Sequence, residues 1–370
     1  MEHQQKPKPE IPFLNFPDGC RKELFKHMDL IKKISFAQCS KKCTEIIKST
    51  NFNVVAIQPE VDRDLVIHIS GDENVDVYFP KPNEAVPVAL ETFTPRSVTL
   101  VKLHEEEYEV NWDKNNKGLV EWIKTLLDLF HLPKLESFKL GNHRPFNRQS
   151  IVRVMEQFKI KRLTLDQASK KTAQLALKQK NSVLNEVPVL EIDRNPDQHS
   201  THDAATEFLI RNYEILQLGS NFVVKPDVLM AINSSFVYIQ GPGFTAKSLN
   251  RFIKLWKEKR VNTRLQYLQI SRVPQLTEAE LFKGIPTMEV RRARTKLIPF
   301  EMLDEGEMTV NTGFEIFGNG GRAVINLTAL AVNGMTNSIF MNFLGDPFSM
   351  ALTFFRRRFT KKLSTKQLKL

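Results

Sequence analysis

The sequence is poor in the constellations that chemistry requires. Its three cysteines stand at positions 20, 39 and 43, an odd number confined to one short stretch, which argues against a disulfide framework. Cys39 and Cys43 are one helical turn apart, yet no second cysteine pair or nearby histidine completes a tetrahedral metal site. His199 and His202, with Asp197 and Asp203, form the densest remaining ligand group and fall in a polar, loop-like segment. Gly241-Pro242-Gly243 and Gly318-Asn319-Gly320-Gly321 lack the lysine and hydroxyl that end a phosphate cradle, and read as turns. No serine occupies a Gly-x-Ser-x-Gly elbow, and Glu105-Glu106-Glu107 is a charge run rather than a pair of differently buried carboxylates. The expectation is a protein that is not an enzyme, with no metal and no cofactor.

Long apolar runs are also missing. None approaches the ~20 residues that span a bilayer, and the opening MEHQQKPKPE lacks the apolar core of a signal peptide. A cytoplasmic or nuclear protein without a membrane partner is expected. Acidic residues are outnumbered, 42 against 53 Lys and Arg, for a formal charge of +11. That balance permits an acidic partner, nucleic acid included. Much of the excess is nevertheless spread along helix faces, apart from Arg291-Arg292-Arg294-Lys296 and the tail from Arg356 to Lys369, and neither cluster shows the aromatic-basic interleaving expected for stacked bases. Protein, rather than nucleic acid, is therefore the expected partner.

What is present is a helical start and a longer mixed body. After a flexible leader, residues 1–10, Pro12 and Pro17 discourage helix up to about Asp18. Leu24, Phe25, Met28, Leu30, Ile31 and Ile34 then follow at helical spacing with a break near Asp29, and Phe36, Ala37, Cys39, Cys43, Ile46 and Ile47 continue the stripe. Two or three short helices over 11–50 must bury that stripe on each other, on the body or on a partner. Residues 51–117 change period, with β-branched runs at 53–57, 65–69, 75–79 and 97–101, and a further strand over 108–112. From 118 to 345 a helix-then-strand unit recurs. Taking Phe138, Thr164, Glu191, Gln217, Tyr238 and Gln269 as strand centres, it repeats at intervals of roughly 21–31 residues. The fold class expected is α/β: a small helical module ahead of an irregular leucine-rich-repeat-like body, capped by a glycine hairpin over 318–321 and followed by a basic tail, 346–370. An ordinary mixed-sheet domain satisfies the same spacing.

Phe16-Pro17 at the entry, Met28-Asp29 at the first break and Cys39-Ser40-Lys41, read as part of the last helix, resemble the F-box of nematode F-box proteins. Leu30 stands where that family usually has proline, and Phe16 where it usually has leucine. The segment Ser248-Leu249-Asn250-Arg251-Phe252-Ile253-Lys254-Leu255-Trp256, with Arg264-Leu265-Gln266-Tyr267-Leu268 behind it, is similar to the type 2 F-box-associated domain. The two resemblances imply a substrate receptor of a ubiquitin ligase, docking a Skp-type adaptor, and through it a cullin scaffold, with residues 11–50. The rest of the chain would hold a protein substrate. Such a subunit contributes proximity and no chemistry of its own.

On that reading the adaptor-binding candidates are Phe13, Leu14, Phe16, Pro17, Leu24, Met28, Ile31, Ile34, Phe36 and Cys39, many of which also serve the module's own core. Strand alternation sends Leu and Ile inward and leaves the intervening side chains exposed. The substrate-binding candidates are accordingly Lys139, Thr164, Gln217, Gln266 and Gln269. A repeat-based interaction scaffold without a ligase is the competing reading.

Overall fold

A computed structural model of the chain describes residues 16–62 except 51–52, 64–80 with 82, 87–102, 109–112, 116–141, 146–165, 172, 175, 186–192, 209–219, 224–240, 243–273, 277–296, 307–318, 321–330 and 336–344. The chain divides into two compact units, Met1–Phe138 with His143–Lys159, and Lys139–Asn142 with Ile160–Leu370.

The first unit opens on three helices. α1 (Asp18–Lys26) begins directly after Pro17. α2 (Leu30–Cys39) is started by Asp29, whose carboxylate accepts the Lys32 N–H at 2.7 Å. α3 (Lys41–Lys48) is started by Ser40, whose hydroxyl accepts the Cys43 N–H at 3.2 Å. Ser40 therefore separates two helices, and Cys39-Ser40-Lys41 is a junction rather than one helical stretch. Phe25, Leu30, Ile31, Ile34, Ala37, Cys43 and Ile47 are buried, and the Phe25 and Phe36 rings lie 5.4 Å apart.

The strand-rich part follows the period-two pattern. β1 (Val54–Val61), β2 (Leu65–Gly71), β3 (Val75–Phe79), β4 (Val98–Lys102) and β5 (Glu109–Trp112) pair antiparallel in chain order. β6 (Leu135–Leu140) lies next to β1. α4 (Leu119–Leu129) packs on β1, and α5 (Arg148–Met155) is the second helix of this part. Gly118 is required where it stands: a Cβ there would lie 2.7 Å from the Phe93 carbonyl oxygen. α4 ends without glycine. His131 takes the left-handed conformation, φ 55°, as the Leu132 N–H closes back on the Leu127 carbonyl at 2.9 Å.

His68 on β2 sits between two carboxylates. Its Nδ1 lies 2.8 Å from Asp76 and its Nε2 3.2 Å from Glu60. Hydrogen bonds to Asp76, then to Glu60, push its pKa up from 6.5 to about 9. A raised folded-state pKa gives stability that is fully present below 6.5 and is lost as pH rises through about 9. Because the ring is one-third exposed, we expect a loss on the order of 1–2 kcal/mol between about pH 6 and 9.5. Urea unfolding at the two pH values checks this, and His68→Gln should flatten the difference.

The second unit is a helix–strand succession. β7 (Ile160–Leu165), β8 (Val189–Ile192), β9 (Ile215–Leu218), β10 (Phe236–Gln240) and β11 (Tyr267–Val273) pair in parallel, each with its sequence neighbour. α6 (Pro226–Ala231) connects β9 to β10, and α7 (Ala246–Lys257) connects β10 to β11. In α7 the predicted stripe Leu249, Phe252, Ile253 and Trp256 is buried. Thr245 and Ser248 cap its start reciprocally, at 3.2 and 2.9 Å. The short α8 (Glu278–Leu281) packs on α7.

A meander follows: β12 (Met288–Lys296), β13 (Glu307–Gly318), β14 (Gly321–Leu330) and β15 (Thr336–Leu344) pair antiparallel in turn. The glycine hairpin forms, with Gly318 opposite Gly321, but β15 is the strand that joins the parallel part, through β11. Sequential parallel strands with intervening helices make this an α/β unit with a large sheet. Of the repeat expected over 173–184, Leu175 is described and is helical. The rest of that segment lies outside the described residues, as does the tail 346–370.

α7, like α4, ends on a residue other than glycine in the left-handed region. Lys259 has φ 58°, and the Arg260 N–H closes on the Leu255 carbonyl at 2.9 Å. Lys259→Gly should stabilise the second unit by about 0.5–1 kcal/mol, read as a rise in thermal midpoint.

Candidate functional site

The helical module offers one candidate surface. Of the adaptor candidates, Ile31 and Ile34 are fully buried and belong to the core of the first unit. Phe16, Met28 and Phe36 are half-buried, while Pro17, Leu24 and Cys39 are exposed, Leu24 at 44%. Phe13 and Leu14 lie outside the described residues. Pro17, Leu24 and Cys39, with the half-buried Phe16, Met28 and Phe36, are thus the groups of the set that solvent or a partner can reach.

The module is tied to the body of its own unit at several points. α2 packs on β4 and α3 on α4. The Leu30 N–H donates to Glu73 Oε2 at 2.8 Å, across 43 residues of sequence. Proline, which the F-box pattern usually has here, could not make that bond. Lys48 Nζ pairs with Asp128 at 2.7 Å, His131 Nε2 donates to the Lys48 carbonyl at 3.2 Å, and Lys117 donates to Gln38. Burial pushes the Lys117 pKa down. Glu73→Ala removes the acceptor of the Leu30 N–H. It should cost about 1–2 kcal/mol in urea unfolding.

The parallel sheet of the second unit offers another surface. Register aligns Thr164, Glu191, Gln217, Tyr238 and Gln269 in one row across five strands. All five are half-buried, whereas the alternate residues Leu163, Leu190, Leu216, Val237 and Leu268 are buried on the opposite face. Thr164 Oγ1 donates to one Glu191 oxygen at 3.3 Å, and Gln217 Nε2 donates to the other at 3.4 Å. The Tyr238 and Tyr267 rings are 5.3 Å apart, and the Tyr267 hydroxyl donates to Gln269 Oε1 at 3.2 Å. Burial pushes the Tyr238 pKa up to about 12 and the Tyr267 pKa up as well. Both phenols are therefore neutral donors at neutral pH.

The row thus gathers three substrate candidates, Thr164, Gln217 and Gln269. Gln266 is exposed but precedes β11, and its odd spacing from Gln269 takes it out of the row. Lys139 is half-buried on β6. Sequence reasoning uses Glu191 and Tyr238 as strand centres without assigning them to a site, although that shared central position is the signal that puts them in the row. His199, His202 and their aspartates lie outside the described residues, and no cluster of metal-ligating side chains occurs among the described ones. No helix among the described residues is long and apolar enough to cross a membrane.

The described residues thus present two candidate surfaces, a helical module with reachable apolar groups and an α/β unit with a mixed polar and aromatic sheet face. Comparison with known families bears on both. The family model for the F-box domain matches residues 13–55, and that for the F-box associated domain matches residues 205–270. The chain carries an F-box domain and an F-box-associated domain. No curated protein and no solved structure matches it.

Proposed function

We propose that the protein is a non-catalytic substrate receptor of a Skp-cullin-F-box type ubiquitin ligase. The observation that carries this reading is the pairing of the two family matches on one chain, at 13–55 and 205–270. Residues 11–50 dock a Skp-type adaptor and through it a cullin, with Phe16, Pro17, Leu24 and Met28 as the contact side of the module and Phe13 and Leu14 as further adaptor-binding candidates. Residues 51–117 link the module to a repeat-like domain over 118–345, whose leucine-rich-repeat-like sheet presents the Thr164 to Gln269 row to a protein substrate. Residues 346–370 form a basic tail. The receptor works in the cytoplasm or nucleus and supplies proximity, raising the effective concentration of the target near the charged enzyme.

A second reading has its own observation. The packing of α2 on β4 and α3 on α4 also suits a helical cap on an interaction scaffold. The two separate in a binding titration of the purified full-length chain with purified Skp-type adaptor. The intact chain is the right reagent, because the module leans on Glu73 and Asp128. Leu24→Glu alters an exposed side chain, so the fold should survive. The receptor reading expects native binding, weakened roughly 30-fold in the variant, equivalent to about 2 kcal/mol. Absence of native binding favours the cap.

A further inference from the structure

The first unit carries a groove that neither family match explains. It has a volume of about 510 Å³ and lies between the end of α4, the turn into β6 and the turn after α5. Leu127, Leu132 and Phe158 are half-buried along its floor, and Pro133 extends it. Lys124, Lys134, Lys159 and His131 stand exposed around it.

Its charge is one-sided. Asp128 is the carboxylate of the lining, and Lys48 already pairs with it at 2.7 Å. Lys124 donates to the neutral Gln157 at 3.0 Å, and Lys124, Lys134 and Lys159 have no carboxylate partner among the described residues. The wall is also held in place: His131 keeps its left-handed turn, bonded to the Lys48 carbonyl at 3.2 Å. An apolar floor inside a lysine rim is complementary to an aromatic or aliphatic anchor flanked by carboxylates.

We infer that this groove docks an acidic peptide segment of a partner protein, seating one apolar side chain on Leu127, Leu132 and Phe158 between Lys124, Lys134 and Lys159. The site is independent of the adaptor reading and gives part of the +11 charge a specific use. A peptide fits better than a nucleic-acid strand, because phosphate contacts alone make no use of the apolar floor, in which two of the three side chains are leucines.

The test is fluorescence anisotropy on the full-length chain with three labelled probes: a heptapeptide of aspartates around a central phenylalanine, the same peptide with glycine at the centre, and a single-stranded oligonucleotide of similar charge. The native chain should bind the phenylalanine peptide at least ~10-fold more tightly than the glycine peptide. The variant Lys124→Glu, Lys134→Glu, Lys159→Glu should weaken the first at least ~10-fold. Its thermal midpoint should match the native value, since all three side chains are exposed. Absence of peptide binding, equal binding by the variant, or equal binding of the two peptides would overturn the proposal. So would tighter binding of the oligonucleotide lost in the same variant, which would make the groove a phosphate-binding surface.

Discussion

Trp122→Ala will lower the stability of the first unit by about 3–5 kcal/mol, the cost of a large cavity in a packed core. Trp122 is fully buried in α4. Its ring meets Phe79 of β3 edge-on at 6.2 Å and lies 5.3 Å from Trp112 of β5. α4 also supports α3, so the loss should propagate to the helical module. Urea unfolding followed by near-ultraviolet circular dichroism reads both effects. A change under about 1 kcal/mol would mean that α4 does not pack as described.

Asn250→Asp should be comparably damaging in the second unit. Asn250 is buried on α7, and its amide donates to the Leu281 carbonyl at 2.7 Å and the Lys283 carbonyl at 3.1 Å, fastening α8. A carboxylate there faces two acceptors and loses both bonds. The expected cost is about 3–5 kcal/mol at neutral pH, against about 1–3 kcal/mol for Asn250→Ala. Burial raises the introduced acid's folded-state pKa, so the penalty should shrink as pH falls and the group becomes a donor. Unfolding of the two variants at pH 7 and pH 5 checks the order and the sign. Equal penalties at pH 7 would contradict the hydrogen-bond assignment.

Elements with a strong period are legible from sequence. The stripe through Leu249, Phe252, Ile253 and Trp256 marks α7 because burial of one face dictates helical spacing. Five of the six expected strand centres, Thr164, Glu191, Gln217, Tyr238 and Gln269, fall in one register row because each helix–strand unit pairs with the next, whereas Phe138 on β6 is fully buried. Local exceptions are harder to see. Ser40 reads as helix interior because its neighbours keep the apolar stripe, whereas its hydroxyl caps α3. The ends of α4 and α7 carry no glycine, so the left-handed His131 and Lys259 give no signal.

Long-range links are hidden for a different reason. Nothing in the residues around Leu30 points to Glu73, and the rim lysines Lys124, Lys134 and Lys159 converge only once α4, β6 and α5 are folded. An apolar stripe likewise does not say what covers it: Ile31 and Ile34 face the core, while Leu24 on α1 faces solvent.

The central claim is that the helical module joins the protein to an adaptor while the second unit holds a target. Affinity purification of the full-length chain, with adaptor, cullin and other partners quantified together, tests it most directly. The native chain should recover adaptor and cullin, and the Phe16→Ala, Pro17→Ala, Met28→Ala variant should lose at least ~10-fold of both while retaining its other partners. Recovery of as much adaptor by the variant as by the native chain, or of none by either, would contradict the account.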